Sequence, residues 1–342
     1  MRKLATIDVV RGKTTIDGAD RIEVVHVRGW QCVAKKGEFE VGDICVYFEI
    51  DSFLPIEERF EFLRKSCFRK MVEQEGFRLK TARFRGAISQ GLALPVSSFP
   101  EILGREIGDD VTDLLGIVKF APPIHACLGG DVEGSFPSFL SKTDQERIQN
   151  MTNIFEKDKE DFWEVTIKMD GSSGTFYHHY GKFGVCSRNW ELKPTEGNTF
   201  WSLANRYDLA RRLSDMGNYA IQGEVCGEGI QKNRDKIKGH DLFVFDVFDI
   251  NLHRYLTPVE RHDFIEALNG IGGLEVKHVP ILGVRQLLAE FTSVEKILKL
   301  ASGEGYNSSK REGIVCKSIP KNGELVHSFK VISNEYLLKT DG

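Results

Sequence analysis

Phe162-Trp-Glu-Val-Thr-Ile167-Lys168-Met-Asp170-Gly171-Ser-Ser173 reads as a buried β-strand that ends in a lysine, a carboxylate two residues on and a glycine turn. Side chains alternate faces along a strand, so Lys168 and Asp170 leave on one side while Met169 faces away. A lysine of ordinary pKa, about 10.4, is protonated at neutral pH and not nucleophilic. In a nucleotide pocket beside a divalent cation it can shed that proton and attack phosphorus. Asp170 suits the cation or its waters, and Gly171 lets phosphate approach the backbone. Taken alone, a Lys-x-Asp-Gly string arises by chance in roughly one chain in ten of this length and is most often a surface turn. It gains meaning only from what surrounds it.

Downstream, the chain supplies further pieces in order. Cys186-Ser-Arg188-Asn189 follows a hairpin and offers a guanidinium for phosphate or a ribose edge, though a solvated arginine is the simpler reading. Gln222-Gly-Glu224-Val-Cys-Gly227-Glu-Gly229 places a carboxylate at a strand end before two glycines, which suits ribose hydroxyls and equally suits a glycine-rich turn. Phe243-Val-Phe245-Asp246-Val-Phe248-Asp249 is a core strand from which one aromatic could wall a purine. Glu312-Gly-Ile-Val-Cys-Lys317 and Ser328-Phe-Lys330-Val complete the set. Two carboxylates, a ribose carboxylate, a stacking ring and extra lysines are the inventory for binding ATP with a metal and taking up its α-phosphate.

The chain of 342 residues has room for two domains. Apolar content of 41% and charged content of 28% are ordinary for a soluble globular protein. No apolar run is long enough to span a bilayer, and the N-terminus lacks a signal-peptide core. Seven scattered cysteines without a Cys-x-x-Cys pair argue for reduced thiols, a cytoplasmic or otherwise intracellular location, and against zinc. With a net charge of −4, any polyanion must be met by a local basic patch.

Residues 1–120 carry short apolar strands at 5–10, 22–27, 30–34, 44–50 and 91–95 with glycine turns between them, the pattern of an OB-type barrel. Within it, Arg64 to Lys70 is diluted by glutamates and reads as a solvated face over core phenylalanines. Arg78-Leu-Lys80-Thr-Ala-Arg83-Phe-Arg85 lacks acids, and nucleic-acid contact through Lys80, Arg83 and Arg85 is as good a reading as a solvated face. Residues 121–142, rich in Pro and Gly, read as a linker. Thr143-Asp-Gln-Glu146 offers a capping box for a helix through Ile154. Residues 143–342 then mix strands with helices at 199–215, 258–268 and 293–303, without βαβ alternation. The fold class expected is α+β, an OB-type barrel followed by an antiparallel-sheet domain, which the resemblance below makes a nucleotidyltransferase domain.

The ordered set Lys168-x-Asp170-Gly171, Ser187-Arg188-Asn189, Gly223-Glu224, Phe245-Asp246, Glu312-Gly-x-Val315-x-Lys317 and Ser-Phe-Lys330 resembles the covalent nucleotidyltransferase superfamily of RNA ligases, DNA ligases and mRNA capping enzymes. The barrel-like segment comes first, and only 12 residues follow Lys330, which leaves no room for the trailing OB domain of the DNA ligases and capping enzymes. That order, with Arg83-Phe-Arg-Gly-Ala-Ile-Ser-Gln-Gly-Leu92 and Phe136-Pro-Ser-Phe-Leu-Ser-Lys-Thr-Asp-Gln-Glu-Arg147, is similar to the Deinococcus- and Naegleria-type nick-sealing RNA ligases.

The resemblance implies an ATP-dependent RNA ligase that needs Mg²⁺ or Mn²⁺ and seals nicked duplex RNA, while the charge-rich surface and lack of an exposed apolar helix favour a monomer. It implies that Lys168 becomes adenylylated, that Asp170 and Glu312 bind waters of the metal, and that Glu224 reads the ribose. Phe245 would stack on adenine, with Thr166 and Ile167 bordering the nucleotide. Arg188 and Lys317 would contact ribose or phosphate, Lys330 the α-phosphate, and Arg147 the departing pyrophosphate. One departure is Ser328, where the superfamily's last motif usually has a lysine. A DNA ligase or guanylyltransferase of the same superfamily is the alternative enzyme, and a non-catalytic RNA-binding protein with a nucleotide pocket the alternative from another class.

Overall fold

A computed structural model describes residues 3–71, 74–120, 131–320 and 326–340. The chain folds into two compact units, one of residues 3–120 with 148–152 and 337–340, the other of residues 131–147 and 153–336.

In the first unit, five β-branched and aromatic segments pair as one antiparallel sheet in the order Leu92–Pro95, Ile44–Phe48, Ala5–Thr15, Ile22–Val27, Trp30–Lys35. These are the five strands expected of the barrel, the first running longer than its apolar half. A second sheet joins Val118–Lys119, Ser52–Leu54, Glu75–Arg78 and Phe68–Lys70. Phe48, Phe60, Phe77 and Phe99 fill the core beneath, Phe48 edge-on to Phe60 at 5.6 Å between ring centres. Charges between Arg59 and Lys70 pair with acids on the surface, Arg64 with Glu61 and Arg59 with Glu101.

The second unit is built on two sheets. The larger runs Val132–Ser135, Trp190–Leu192, Lys182–Cys186, Ser172–His179, Tyr219–Gly227, His240–Asp249, Arg254–Tyr255. The smaller runs Glu146–Arg147, Ser328–Ile332, Gly313–Ile319, Phe162–Lys168, Ile281–Arg285. Both are antiparallel except at two short parallel pairings, Glu146–Arg147 with Phe329–Lys330 and Lys277–His278 with Phe243–Val244.

Three expectations need correction. Of the segment read as a linker, residues 121–130 lie outside the described residues, and Val132–Ser135 forms an edge strand of the larger sheet. The Thr143 box caps no α-helix: the Thr143 hydroxyl donates to Gln222, and Glu146–Arg147 is drawn into the sheet, followed by a single 3₁₀ turn at Ile148–Asn150. Sheet pairing outcompetes the local helix signal. The helix expected over 199–215 is two, Thr199–Arg206 and Leu209–Met216, because Asp208 takes a left-handed conformation (φ 50°) and redirects the chain so that Leu209, Arg212 and Leu213 are buried.

Candidate active site

The smaller sheet places the chemistry by register. Thr166 lies opposite Val315, which lies opposite Lys330. Glu164 lies opposite Lys317, which lies opposite Ser328. Directly opposed residues share a face, as do alternate residues of one strand, so Glu164, Thr166, Lys168, Val315, Lys317, Ser328 and Lys330 all point the same way. The larger sheet faces them with Ser173 opposite Glu224. Between the sheets is a cleft lined on one side by Thr166, Ile167, Lys168, Lys317 and Lys330 and on the other by Glu224, Phe245 and Arg188.

Lys168 is the last residue of its strand and pairs with Gly313, which puts Glu312 within reach; Nζ and Oε1 are 2.8 Å apart. The turn then brings Gly171 against the Tyr219–Gly227 strand, where its N–H donates to Glu224 Oε1 at 3.1 Å. A Cβ on Gly171 would lie 2.4 Å from the Val225 carbonyl oxygen, so the glycine is required by close strand packing. That is a different reason from the phosphate approach expected of it. Asp170 is not among the residues that line the cleft, although its charge acts on Lys168. Its Oδ1 accepts from the Tyr336 hydroxyl at 2.9 Å and its Oδ2 is 3.4 Å from Arg234 Nε.

Three carboxylates thus surround one ammonium. Burial pushes Glu224 up to about 7, with Glu312 and Asp170 adding to the rise against the opposing pull of Lys168 and the Gly171 N–H. Glu312 is raised by burial and by Asp170. Burial alone would depress Lys168, but Glu312, Glu224 and Asp170 outweigh it and hold its pKa above the usual value. Carboxylate oxygens of this kind fit a divalent cation.

The far end of the cleft is cationic. Lys330 Nζ binds Asp144 at 3.0 Å, and Arg188 Nη2 approaches the other oxygen of that carboxylate at 3.5 Å. Burial lowers Lys330 to about 8, although Asp144 opposes the shift. Lys317 is pushed down to about 8 by burial; its ammonium pairs with Asp246 and donates to the Phe245 carbonyl at 2.6 Å. Ser328, half-buried, stands opposite Lys317, so the missing lysine leaves Lys317 as the cation of that row.

Of the residues expected at the site, Thr166, Ile167, Lys168, Arg188, Glu224, Phe245, Lys317 and Lys330 line the cleft. Glu312 joins through Lys168. Asp170 contributes charge and is held by Tyr336 and Arg234. Arg147 is buried, paired in register with Lys330, and its charge acts on both Glu312 and Lys330. Lys80, Arg83 and Arg85 belong to the first unit, where Arg83 and Arg85 are exposed around the turn of the hairpin Ala82–Phe84 and Ala87–Ser89. Asp144, Arg234 and Tyr336 were not foreseen. Asp144 was hidden inside the helix-cap pattern, and the alternating cations around Arg234 were legible but unread.

A family model described as an OB-fold domain matches residues 4–96, and one described as RNA ligase matches residues 161–332. No curated protein sequence matches the chain at a significant level. Among solved structures, Naegleria gruberi RNA ligase with PPi is 48% identical, with 98% of each chain covered and a TM-score of 0.92. A mutant of that ligase with AMP and Mn is 47% identical over 100% of both chains, TM-score 0.93. Another mutant with ATP and Mn is 47% identical over 99% of this chain and 100% of the other, TM-score 0.93. With an OB-fold unit ahead of a matching ligase unit, the chain belongs to the RNA ligase family.

Proposed function

We propose that this RNA ligase uses ATP to seal 3′-OH/5′-phosphate breaks, nicks in duplexes above all, through an adenylylated Lys168. The observation that carries the reading is the cleft itself: a strand-end lysine, paired to Glu312 and ringed by carboxylates, in one cleft with two further lysines and an arginine suited to phosphates. The solved relatives with ATP, AMP and PPi support it.

In the first step the deprotonated Lys168 Nζ attacks the α-phosphorus of ATP. A P–N bond forms, the bond to the bridging oxygen breaks, and pyrophosphate leaves. Next a 5′-phosphate oxygen of the RNA attacks the same phosphorus; the P–N bond breaks and Lys168 recovers a proton. Finally the 3′-hydroxyl attacks the 5′-phosphate and releases AMP. Lys330 meets the α-phosphate, Glu224 the ribose hydroxyls, and Phe245 the base bordered by Thr166 and Ile167. Arg188 and Lys317 hold ribose or phosphate, and Arg147 orients the leaving pyrophosphate. Asp170 and Glu312 would hold Mg²⁺ or Mn²⁺. When bound, that cation supplies the charge that lets Lys168 lose its proton and that offsets negative charge on the α-phosphate.

An intracellular, monomeric enzyme is part of the proposal. Free thiols at the six described cysteines support a reducing compartment, and no helix among the described residues is long and apolar enough to cross a membrane.

The test is transfer of α-labelled nucleotide to protein with Mg²⁺ or Mn²⁺. Acid-labile label from ATP that is absent in Lys168→Ala is expected. Label from GTP instead would turn the reading to capping chemistry. No label from either, on protein first cleared of bound AMP with pyrophosphate, would sink the covalent route.

A further inference from the structure

Between the strand that bears Glu224 and the next strand of the larger sheet runs Glu228-Gly-Ile-Gln-Lys232-Asn-Arg234-Asp-Lys236-Ile-Lys238-Gly239. Lys232, Lys236 and Lys238 are exposed, Asp235 and Ile237 are buried, and Arg234 is half-buried. The one acid inside the basic run is therefore turned inward, where Ser309 Oγ donates to it, while Asn307 Nδ2 donates to the Asp235 carbonyl at 2.9 Å. In a chain of net charge −4, an outward face of three lysines is a local exception.

The loop is constructed rather than slack. Asn233 closes it on itself, its Oδ1 accepting from Ile237 N at 3.0 Å and its Nδ2 donating to Ile237 O at 2.9 Å. Gln231, Asn233 and Lys236 all adopt left-handed backbone (φ 48°, 38° and 51°), which non-glycine residues keep only where surrounding bonds hold them. None of these residues lines the nucleotide cleft. Yet the loop meets the site at Arg234, whose guanidinium lies over the Tyr336 ring at 4.5 Å and whose buried Nε faces Asp170 without forming a hydrogen bond.

We propose that this loop is the ligase unit's binding element for the sugar–phosphate backbone of the RNA, with Lys232, Lys236 and Lys238 on backbone phosphates and Arg234 on the phosphate nearest the transfer site. The three lysines lie within seven positions on a loop that Asn233 holds closed, and their flexible side chains suit several phosphates of one strand. Arginine's planar fork suits the phosphate that must be held in a fixed orientation, and the lysines suit the sequence-independent grip. The inference deepens the ligase reading and rests on it for the identity of the strand.

The test uses the full chain with Lys232, Lys236 and Lys238 all changed to Ala. Its binding to a fluorescent 5′-phosphorylated RNA is measured by anisotropy across a salt series without ATP. Each lost contact on a single strand should remove about 0.7 from the slope of log affinity against log salt, so the triple variant should lose about 2. At 0.1 M salt that corresponds to roughly a hundredfold weaker binding. Label transfer from ATP to Lys168 needs no RNA and should be unchanged, which also reports an intact fold. The single variants should each lose about a third of the slope change. Unaltered RNA affinity and salt slope in a triple variant that still takes label would overturn the proposal. Failure of the unaltered protein to take label would overturn the ligase reading instead, leaving the binding series to decide the loop by itself.

Discussion

Lys168 ends a buried strand among the carboxylates of Glu312, Glu224 and Asp170. Only the fold shows that its first partner is Glu312, 144 positions away in the chain and brought beside it by the pairing of Lys168 with Gly313. Glu312, Glu224 and Asp170 favour the protonated form of Lys168. Lys330 makes a sharper prediction. Its pKa is lowered to about 8, and it is cationic below that value. An anionic ligand favours the protonated form, and Lys317, also lowered to about 8, discharges over the same range, so ATP affinity should fall above about pH 8 as the two cations are lost. Equilibrium binding of a non-hydrolysable ATP analogue between pH 7.5 and 9.5 checks this, and Lys330→Arg, charged throughout, should make the alkaline limb shallower and leave the share due to Lys317.

At the scale of elements, the Phe162–Lys168 strand does two jobs. Its outer end delivers Lys168, and its middle buries Glu164, fixed by Arg261 and by His262 at 2.7 Å. Arg261 is completely buried and also donates to His278 Nε2 at 2.9 Å, which uses the place a metal would need among Glu164, His262 and His278. Removing one partner of a buried pair leaves an uncompensated charge. Arg261→Met should therefore cost about 3–5 kcal/mol in denaturant unfolding, and adding Glu164→Leu should recover most of it. The strands of this element were readable because β-branched and aromatic residues alternate or run together. The segment around Asp144 was misread for a physical reason: a Thr-x-x-Glu pattern fits a helix cap locally, while a parallel pairing with Phe329–Lys330, some 180 residues on, decides the outcome. Tyr336 carried no local signal at all, since its partner Asp170 lies 166 residues away.

At the scale of the molecule, the two units divide the work of the proposed reaction. Among the described residues, the nucleotide cleft is lined by the second unit alone. Changing Lys80, Arg83 and Arg85 together to Ala should leave label transfer to Lys168 within about twofold, while sealing of a nicked duplex falls by tenfold or more at 0.1 M salt. A gel assay that separates the adenylylated 5′ end from sealed product distinguishes the two. Equal loss of both activities would show that the hairpin supports the fold rather than the substrate. The five strands of the OB-fold unit were legible because each is a short apolar run ended by a turn.

Asp144 has a consequence for the energetics of the empty enzyme. With its carboxylate spanning Lys330 and Arg188, the cleft already contains a tethered anion, present at a high effective concentration that no dilution can lower. Incoming phosphates must evict an incumbent rather than fill a void, and the observed nucleotide affinity is the difference between two anions competing for the same cations. Asp144→Asn should tighten nucleotide binding in calorimetry at neutral pH, by removing a rival rather than by adding a contact. The same tether would also speed departure of a spent nucleotide, because the cations never have to wait for a replacement charge from solution.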